Sequence, residues 1–267
     1  MKITEPFDID KYHTNRKLII YGASVYGELA KAALGLLNIV PDYYCDKSKK
    51  RNVYFSIPVI TPEELEKLTN VSIIIASADF FYEIRDMLCS MGFTDLYDMS
   101  SLLKKDLDVS KLSNRAREMY ENREYYLNIV SSQSREKIVF NRIQYVVTEK
   151  CSLRCKDCSH LMPYYKCPQD TNIAKNKVAF DLLLDHVDYI AELRILGGEP
   201  FINKEIYKLI EDYFNNPKIQ TISIYTNGTI IPDEKTLVAL GYDNVKVHIS
   251  DYKINHDKIQ KLLKIFN

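Results

Sequence analysis

Cys151, Cys155 and Cys158 stand within eight residues of one another, in Cys-Ser-Leu-Arg-Cys-Lys-Asp-Cys. Three thiolates on one short loop can hold three corners of a cubane iron–sulfur cluster. No fourth cysteine shares that tight spacing, so one iron would stay open to a ligand, where chemistry is possible; a fully ligated cluster mostly moves electrons or holds a fold. The competing metal is zinc. Cys167 could complete a four-cysteine site, although zinc sites usually come as two Cys-x-x-Cys knuckles. The β-branched, apolar run Ile143–Thr148 directly precedes the loop. It predicts a strand whose carboxyl end carries the cysteines, where α/β proteins place their active sites.

Three further clusters fall at predicted strand ends. Gly197-Gly198-Glu199-Pro200 follows Leu193–Leu196. Its glycines allow close approach of a small polar ligand to the backbone, Glu199 offers a carboxylate to an ammonium group, and Pro200 stiffens the exit. Thr226-Asn227-Gly228 follows Thr221–Tyr225, and Val245–Ser250 runs into Asp251. Each alone is also an ordinary solvated turn; together they ring one rim.

The elements that must position these residues follow from periodicity. Helices between the strands carry Phe180, Leu183, Leu184 and Val187; Ile206, Leu209, Ile210 and Tyr213; Leu237 and Leu240; and Ile259, Leu262, Leu263 and Phe266. That makes four βα units from 143 to 267. A strand edge left open after the fourth would expose unpaired backbone, so the expectation is a truncated core, or an edge covered by another chain or by the connector helix.

An earlier alternation occupies residues 1–105. Strands are predicted at Lys17–Ile20, Val40–Tyr44, Val59–Ile60, Val71–Ala76 and Phe93–Tyr97. A helix follows Gly27 with Leu29, Ala30, Ala33, Leu36 and Leu37 buried. Thr61-Pro-Glu-Glu64 is a capping box with proline at the first helical position, and Tyr82–Met91 is helical. Alternating β and α predicts a parallel sheet covered by helices. Residues 106–142, with a charged helix over Ser113–Ile129 bearing Tyr120, Tyr125, Tyr126 and Leu127, are expected to connect two α/β domains.

Composition sets bounds. The 267 residues suffice for two cores, and 46% hydrophobic residues mark a globular chain. Lys+Arg and Asp+Glu are both 36, which argues against nucleic acid held by bulk charge. No apolar run approaches a membrane span and no signal h-region is seen at the N-terminus. Six irregularly spaced cysteines suit a reducing cytoplasm better than a secreted disulfide framework. Cys45 and Cys89 are expected to be buried structural thiols.

Residues 143–267 resemble the first part of a radical S-adenosylmethionine (radical SAM) enzyme core. The likeness rests on Cys151/Cys155/Cys158, Gly197–Pro200, Thr226–Gly228 and the strand ending at Ser250. It implies a partial (β/α) barrel, and a [4Fe–4S] cluster whose open iron is chelated by the amino and carboxylate groups of S-adenosylmethionine. Reductive cleavage of the sulfonium then yields a radical that abstracts a substrate hydrogen. The resemblance further implies that Gly197–Glu199 meet the methionine amino group, that Asn227 belongs to the cofactor site, and that Ser250 lies near the ribose or carboxylate. A flavodoxin- or ferredoxin-type donor would supply the electron. The sequence departs from the family in having Asp157 where an aromatic residue near the adenine is usual; Tyr164 or Tyr165 could stand in, or with His160 and Met162 simply pack over the site. The family core has six βα units, and four are seen.

The N-terminal half resembles a Rossmann-like domain. Gly22-Ala-Ser24-Val-Tyr-Gly27 departs from Gly-x-Gly-x-x-Gly at Ser24, and Asp46 stands where a ribose-binding acid would. It is similar to domains of sugar-modifying acyltransferases and polysaccharide-assembly proteins. This implies a nucleotide at Gly22, Ser24, Gly27 and Asp46, a small-molecule or nucleotide-sugar substrate, and a setting in surface-polysaccharide or related biosynthesis. Two other readings are a non-enzymatic zinc- or cluster-stabilised nucleotide-binding module, and an NAD(P)-dependent oxidoreductase working at Gly22–Gly27, for which the chain offers no recognisable hydride-transfer residues.

Overall fold

The computed structural model of the chain describes residues 4–10, 12, 15–48, 50–131, 137–253 and 255–266. The side chain of Phe266, expected on a buried helix face, lies outside the described residues. The chain forms two compact units, 1–137 and 138–267.

The first unit contains β1 (Glu5–Pro6), β2 (Lys17–Tyr21), α1 (Val25–Gly35), β3 (Tyr43–Cys45), β4 (Val53–Tyr54), β5 (Ile57–Ile60), α2 (Pro62–Leu65), β6 (Val71–Ile75), α3 (Phe81–Ser90), β7 (Leu96–Asp98), α4 (Ser100–Leu103), α5 (Asn114–Glu121) and α6 (Glu124–Ser131). The sheet order is β1-β7-β6-β2-β3-β5-β4, parallel except for the β4–β5 hairpin. All five residues of β6 are buried, as a largely apolar strand in a two-sided parallel sheet requires, and its one polar member, Ser72, donates to Asp95. The capping box at α2 forms as written: Thr61 Oγ1 accepts from Glu64 N, and Glu64 Oε2 accepts from Thr61 N at 2.7 Å.

Several boundaries differ from the sequence reading. β3 begins at Tyr43, not Val40. Pro41 brings no N–H to the ladder, and Asp42 spends its carboxylate on Leu18 N at 2.8 Å. Val40 is consequently exposed. Leu36 is also exposed, because α1 stops at Gly35 and the chain turns left-handed at Asn38, φ 57°. β7 begins at Leu96, since Asp95 is drawn off to Arg16 and Ser72. The expected helix Ser113–Ile129 is two helices broken at Asn122. These helices do not stand apart as a connector. Tyr126 is fully buried in the first unit, donating to Ile75 O at 2.8 Å and accepting from Met99 N at 3.0 Å. Ser113 binds the buried Glu28 carboxylate through both its N–H and its hydroxyl. Cys45 is buried as expected, whereas Cys89 on α3 is only half-buried.

The second unit contains β8 (Val139–Thr148), α7 (Ile173–His186), β9 (Tyr189–Gly197), α8 (Ile206–Tyr213), β10 (Ile219–Thr226), α9 (Glu234–Leu240), β11 (Val245–Ile249) and α10 (His256–Phe266). The four strands form one open parallel sheet in sequential order. Each is followed by a helix, as the four predicted βα units require. One face carries Tyr145, Val147, Leu193, Ile195, Ile222 and Ile224 into the core with the helices. Leu183 and Leu263, expected in that core, lie at its exposed margin. Strand alternation turns Arg142, Glu192, Arg194 and Tyr225 to the other face. There Glu192 takes Arg142 Nε at 2.7 Å, Arg194 Nη2 at 3.0 Å and the Tyr225 hydroxyl at 3.1 Å. Burial pushes the Glu192 carboxyl up, but Arg142, Ser223 and Arg194 outweigh it and hold it below its ordinary range. No helix among the described residues is long and apolar enough to cross a membrane.

Candidate functional site

The cysteine loop is a long excursion from the end of β8, tied at its root. Thr148 and Asp170 form an isolated antiparallel bridge. Asp170 accepts from Thr148 Oγ1 and from Lys150 Nζ, both at 2.6 Å. Glu149 N donates to Gln169 O, and Thr171 N to Val147 O. The loop therefore leaves and returns at one point and presents its cysteines at the carboxyl end of the strand, as the sequence predicts.

Gly197 and Gly198 pack against that root. A Cβ on Gly197 would stand 2.3 Å from Thr148 O, and one on Gly198 2.1 Å from Lys150 O and 2.8 Å from Cys151 Cβ. Gly197 also has φ +155°. The seam is closed by Gly198 N to Thr148 O at 2.9 Å and Glu199 N to Lys150 O at 2.8 Å. The glycines thus admit the loop's own backbone, where the sequence suggested admission of a ligand.

Glu199 also differs from its expected role. It is fully buried. Oε1 accepts from Thr226 Oγ1 at 2.8 Å and Phe201 N at 3.2 Å, and Oε2 accepts from Asn227 N at 2.8 Å. The carboxylate is a buried clamp between β9 and β10. Desolvation raises its pKa, and the three hydrogen bonds only partly offset that. Its folded pKa lies above the unfolded one, so the folded state takes up the proton first. The Glu199 contribution to stability therefore increases as pH falls through that interval. Glu199→Ala strands three buried donors. We expect it to cost about 2–4 kcal/mol in denaturant unfolding and to remove this pH dependence; stability within about 0.5 kcal/mol of wild type would refute the clamp.

The end of β10 reaches the cysteine loop. Asn227 Nδ2 lies 3.6 Å from Cys151 Sγ and 3.2 Å from Ser152 Oγ, and Ser152 Oγ bonds Thr229 Oγ1. Leu153 N donates to Cys151 Sγ at 3.4 Å. Burial raises the Cys151 thiol, with Glu199, Cys155 and Cys158 adding to the rise and Leu153 N–H opposing it. Each of the three loop thiols is half-buried. Among the described residues no three His, Cys, Asp or Glu side chains converge as ligands of a single ion would. A cubane asks for a wider triangle, because each thiolate takes its own iron. Cys167, the possible fourth zinc ligand, is exposed.

Ser250 joins the same rim. Its N–H donates to Thr226 O at 2.9 Å, and its carbonyl accepts from Asn255 Nδ2 at 3.2 Å. Pro200 is buried at the start of a short 3-10 turn. Cys151, Gly197–Pro200, Asn227 and Ser250 are thus one connected strand-end constellation. Asp157, Tyr164 and Tyr165 are exposed, His160 is half-buried, and only Met162 packs inward. Tyr225 and His248 stack at 4.4 Å with rings 5° apart, and Arg194 lies over Tyr225.

Sequence reasoning missed Asn255, Ser152, Thr229 and Asp170. Each is a lone polar residue in a loop, and only the fold tells it from a solvated one. Gly22, Ser24, Gly27 and Asp46 lie together in the first unit. Gly22, at φ +122°, packs on Ala76, and Tyr44 donates to Gly27 O. Ser24 is an exposed, extended N-cap whose side chain makes no capping bond. Asp46 Oδ2 accepts from Ala23 N at 3.1 Å and Oδ1 from Ser48. The acid expected on a ribose therefore occupies the amide of the glycine turn.

The sequence over residues 141–262 matches the family described as a 4Fe-4S single cluster domain. Residues of this chain are 36% identical over 109 positions to a GTP 3',8-cyclase of Clostridium acetobutylicum, covering 40% of this chain and 34% of that protein. The GTP 3',8-cyclase of Alkaliphilus metalliredigens is 31% identical over 91 residues, 34% of this chain and 28% of the relative. The molybdenum cofactor biosynthesis protein moc-5 of Caenorhabditis elegans is 28% identical over 119 residues, 44% of this chain and 20% of its own length. The chain thus spans well under half the length of the curated relatives it matches, between 20% and 38% of each.

Proposed function

We propose that the second unit, which matches a 4Fe-4S single cluster domain over residues 141–262 and resembles GTP 3',8-cyclases, is a radical SAM core, and that the chain acts within a radical SAM enzyme with Cys151, Cys155 and Cys158 holding a [4Fe–4S] cluster. With the cluster and S-adenosylmethionine bound, such a core supplies reductive cleavage of the sulfonium and abstraction of a substrate hydrogen. The observation that carries the reading is the meeting of three strand ends at one sulfur: Cys151 with its thiol toward Asn227, and Gly198 against its Cβ.

The chain's own residues set the rest. Thr148–Asp170 and the Gly198–Lys150 seam fix the root of the loop and place Cys151 at the strand-end rim. Since the Glu199 carboxylate is spent inside, the backbone edge of 197–199 is the part left to meet an amino group, with Ser250 further along the rim. Tyr164, Tyr165 and the stacked Tyr225–His248 pair are the aromatic surfaces that could flank an adenine or a substrate in place of the residue that Asp157 replaces. The substrate belongs to the small molecules and the electron comes from a flavodoxin- or ferredoxin-type donor in a reducing cytoplasm. A nucleotide-sugar substrate and a polysaccharide setting rest on the first unit, whose β5-β3-β2-β6-β7 order suits a doubly wound nucleotide fold. For a nucleotide phosphate, or NAD(P), to use the glycine turn, Asp46 must first release Ala23 N.

The test is anaerobic reconstitution of the full chain. About four irons per chain, and a reduced-cluster electron paramagnetic resonance spectrum that changes on adding S-adenosylmethionine, are expected. Stoichiometric zinc in place of iron, or a spectrum indifferent to S-adenosylmethionine, would refute it.

A further inference from the structure

The orientation of the Asn227 side chain is fixed by a donor that cannot reverse. Its Oδ1 accepts from the Thr229 backbone N–H at 3.0 Å and from the Thr229 hydroxyl at 2.6 Å. A backbone N–H only donates, so the amide oxygen must face Thr229 and the group beside Cys151 Sγ must be the NH2; Ser152 Oγ lies near both ends of the amide, 3.5 Å from Oδ1 and 3.2 Å from Nδ2. The main chain of Asn227 is pinned as well. Its N–H donates to the buried Glu199 carboxylate. Its carbonyl accepts from Nδ2 of Asn255, a residue 3% exposed that also binds Ser250 O and receives Tyr252 N.

We propose that Asn227 is a positioning residue that donates a hydrogen bond to the Cys151 thiolate of the cluster and thereby sets the cluster's reduction potential, and that Asn255 holds it in place. This rests on the cluster reading above. Hydrogen bonds to cluster sulfurs are one of the protein's levers on potential. An N–H directed at sulfur favours the more negatively charged, reduced cluster over the oxidised one. Among the described residues Cys151 Sγ receives two such donors, Leu153 N and Asn227 Nδ2, while neither Cys155 nor Cys158 sulfur receives one. The Leu153 donor comes with the loop itself. The Asn227 donor comes from a different strand, so it also reports whether β10 and the cysteine loop are docked.

The experiment uses the full chain reconstituted anaerobically, with no S-adenosylmethionine present. Midpoint potentials are read by electron paramagnetic resonance in wild type, Asn227→Ala and Asn255→Ala. Asn227→Ala is expected to keep about four irons and to disfavour reduction about tenfold, about 59 mV more negative for one electron. Asn255→Ala is expected to shift in the same direction by less. A second measurement needs no variant: wild type carrying 15N-asparagine should show a weak nitrogen coupling to the reduced cluster. Full iron with an unchanged midpoint in Asn227→Ala, or no 15N coupling in wild type, overturns the proposal and leaves the cluster reading standing. A wild-type chain that takes up no iron removes both.

Discussion

Cys151→Ala is expected to take the reconstituted chain from about four irons to background. Three thiolates on one loop bind a cluster cooperatively, and removing one leaves two ligands on a segment that has lost its anchor. Cys151 is that anchor. It sits directly after the strand root, its Cβ lies against the Gly198 position, and its sulfur receives Leu153 N and Asn227 Nδ2. Changes to partners one step removed from a metal commonly cost 10–100-fold in affinity, so loss of a ligand should exceed that. Cys155→Ala and Cys158→Ala should behave alike, whereas Cys167→Ala and Cys89→Ala should keep their iron. Iron is measured by colorimetric assay and visible absorption, and far-ultraviolet circular dichroism checks that the variant folds. Retained iron in Cys151→Ala, with loss in Cys167→Ala, would transfer the metal to a different set of cysteines.

Much of this site was legible because its signals are local. The strand before Cys151 is an apolar run, the thiols recur within one loop, and the glycine pair follows a second run. Thr61–Glu64 carried its cap in four letters. What was not legible depends on pairing between distant segments. The β4–β5 hairpin has Phe55 and Ser56 at φ 48° and 65°, conformations that Asn or Gly normally advertise, so nothing in Val-Tyr-Phe-Ser-Ile announces the turn. The role of Glu199 inverted for a related reason. A carboxylate beside two glycines suggests a ligand, yet Thr226 and Asn227, encoded nearly thirty residues later, bury it. Asp46 was placed at the right strand end, but only the fold reveals that its carboxylate already holds Ala23 N. Helix faces were recovered to within a residue or two; Leu183 and Leu263 were misassigned because a parallel sheet leaves the flank of each helix stripe open.

Gly198→Ala tests whether the glycine pair serves the loop's backbone. The added methyl would meet Lys150 O at 2.1 Å, Lys150 C at 2.5 Å and Cys151 Cβ at 2.8 Å. Two of these are main-chain atoms held by the Glu199 N to Lys150 O bond, and the third belongs to a proposed iron ligand. No side-chain rotation relieves the contact, so the seam between β8 and β9 must open. Overpacking of this kind typically costs 1–3 kcal/mol; with two inter-strand hydrogen bonds strained as well, about 3 kcal/mol is expected in denaturant unfolding, together with a marked fall in iron retained. Gly35→Ala is the contrasting substitution, because nothing lies within 4 Å of its would-be Cβ at the end of α1. There a methyl should be neutral or stabilise by up to about 1 kcal/mol, with iron unaffected. If Gly198→Ala were as stable as wild type and held its full iron, the close approach would not be what demands glycine. The pair would then return to the role first suggested by its sequence, an opening for a bound ligand, and its defect would appear in S-adenosylmethionine binding alone.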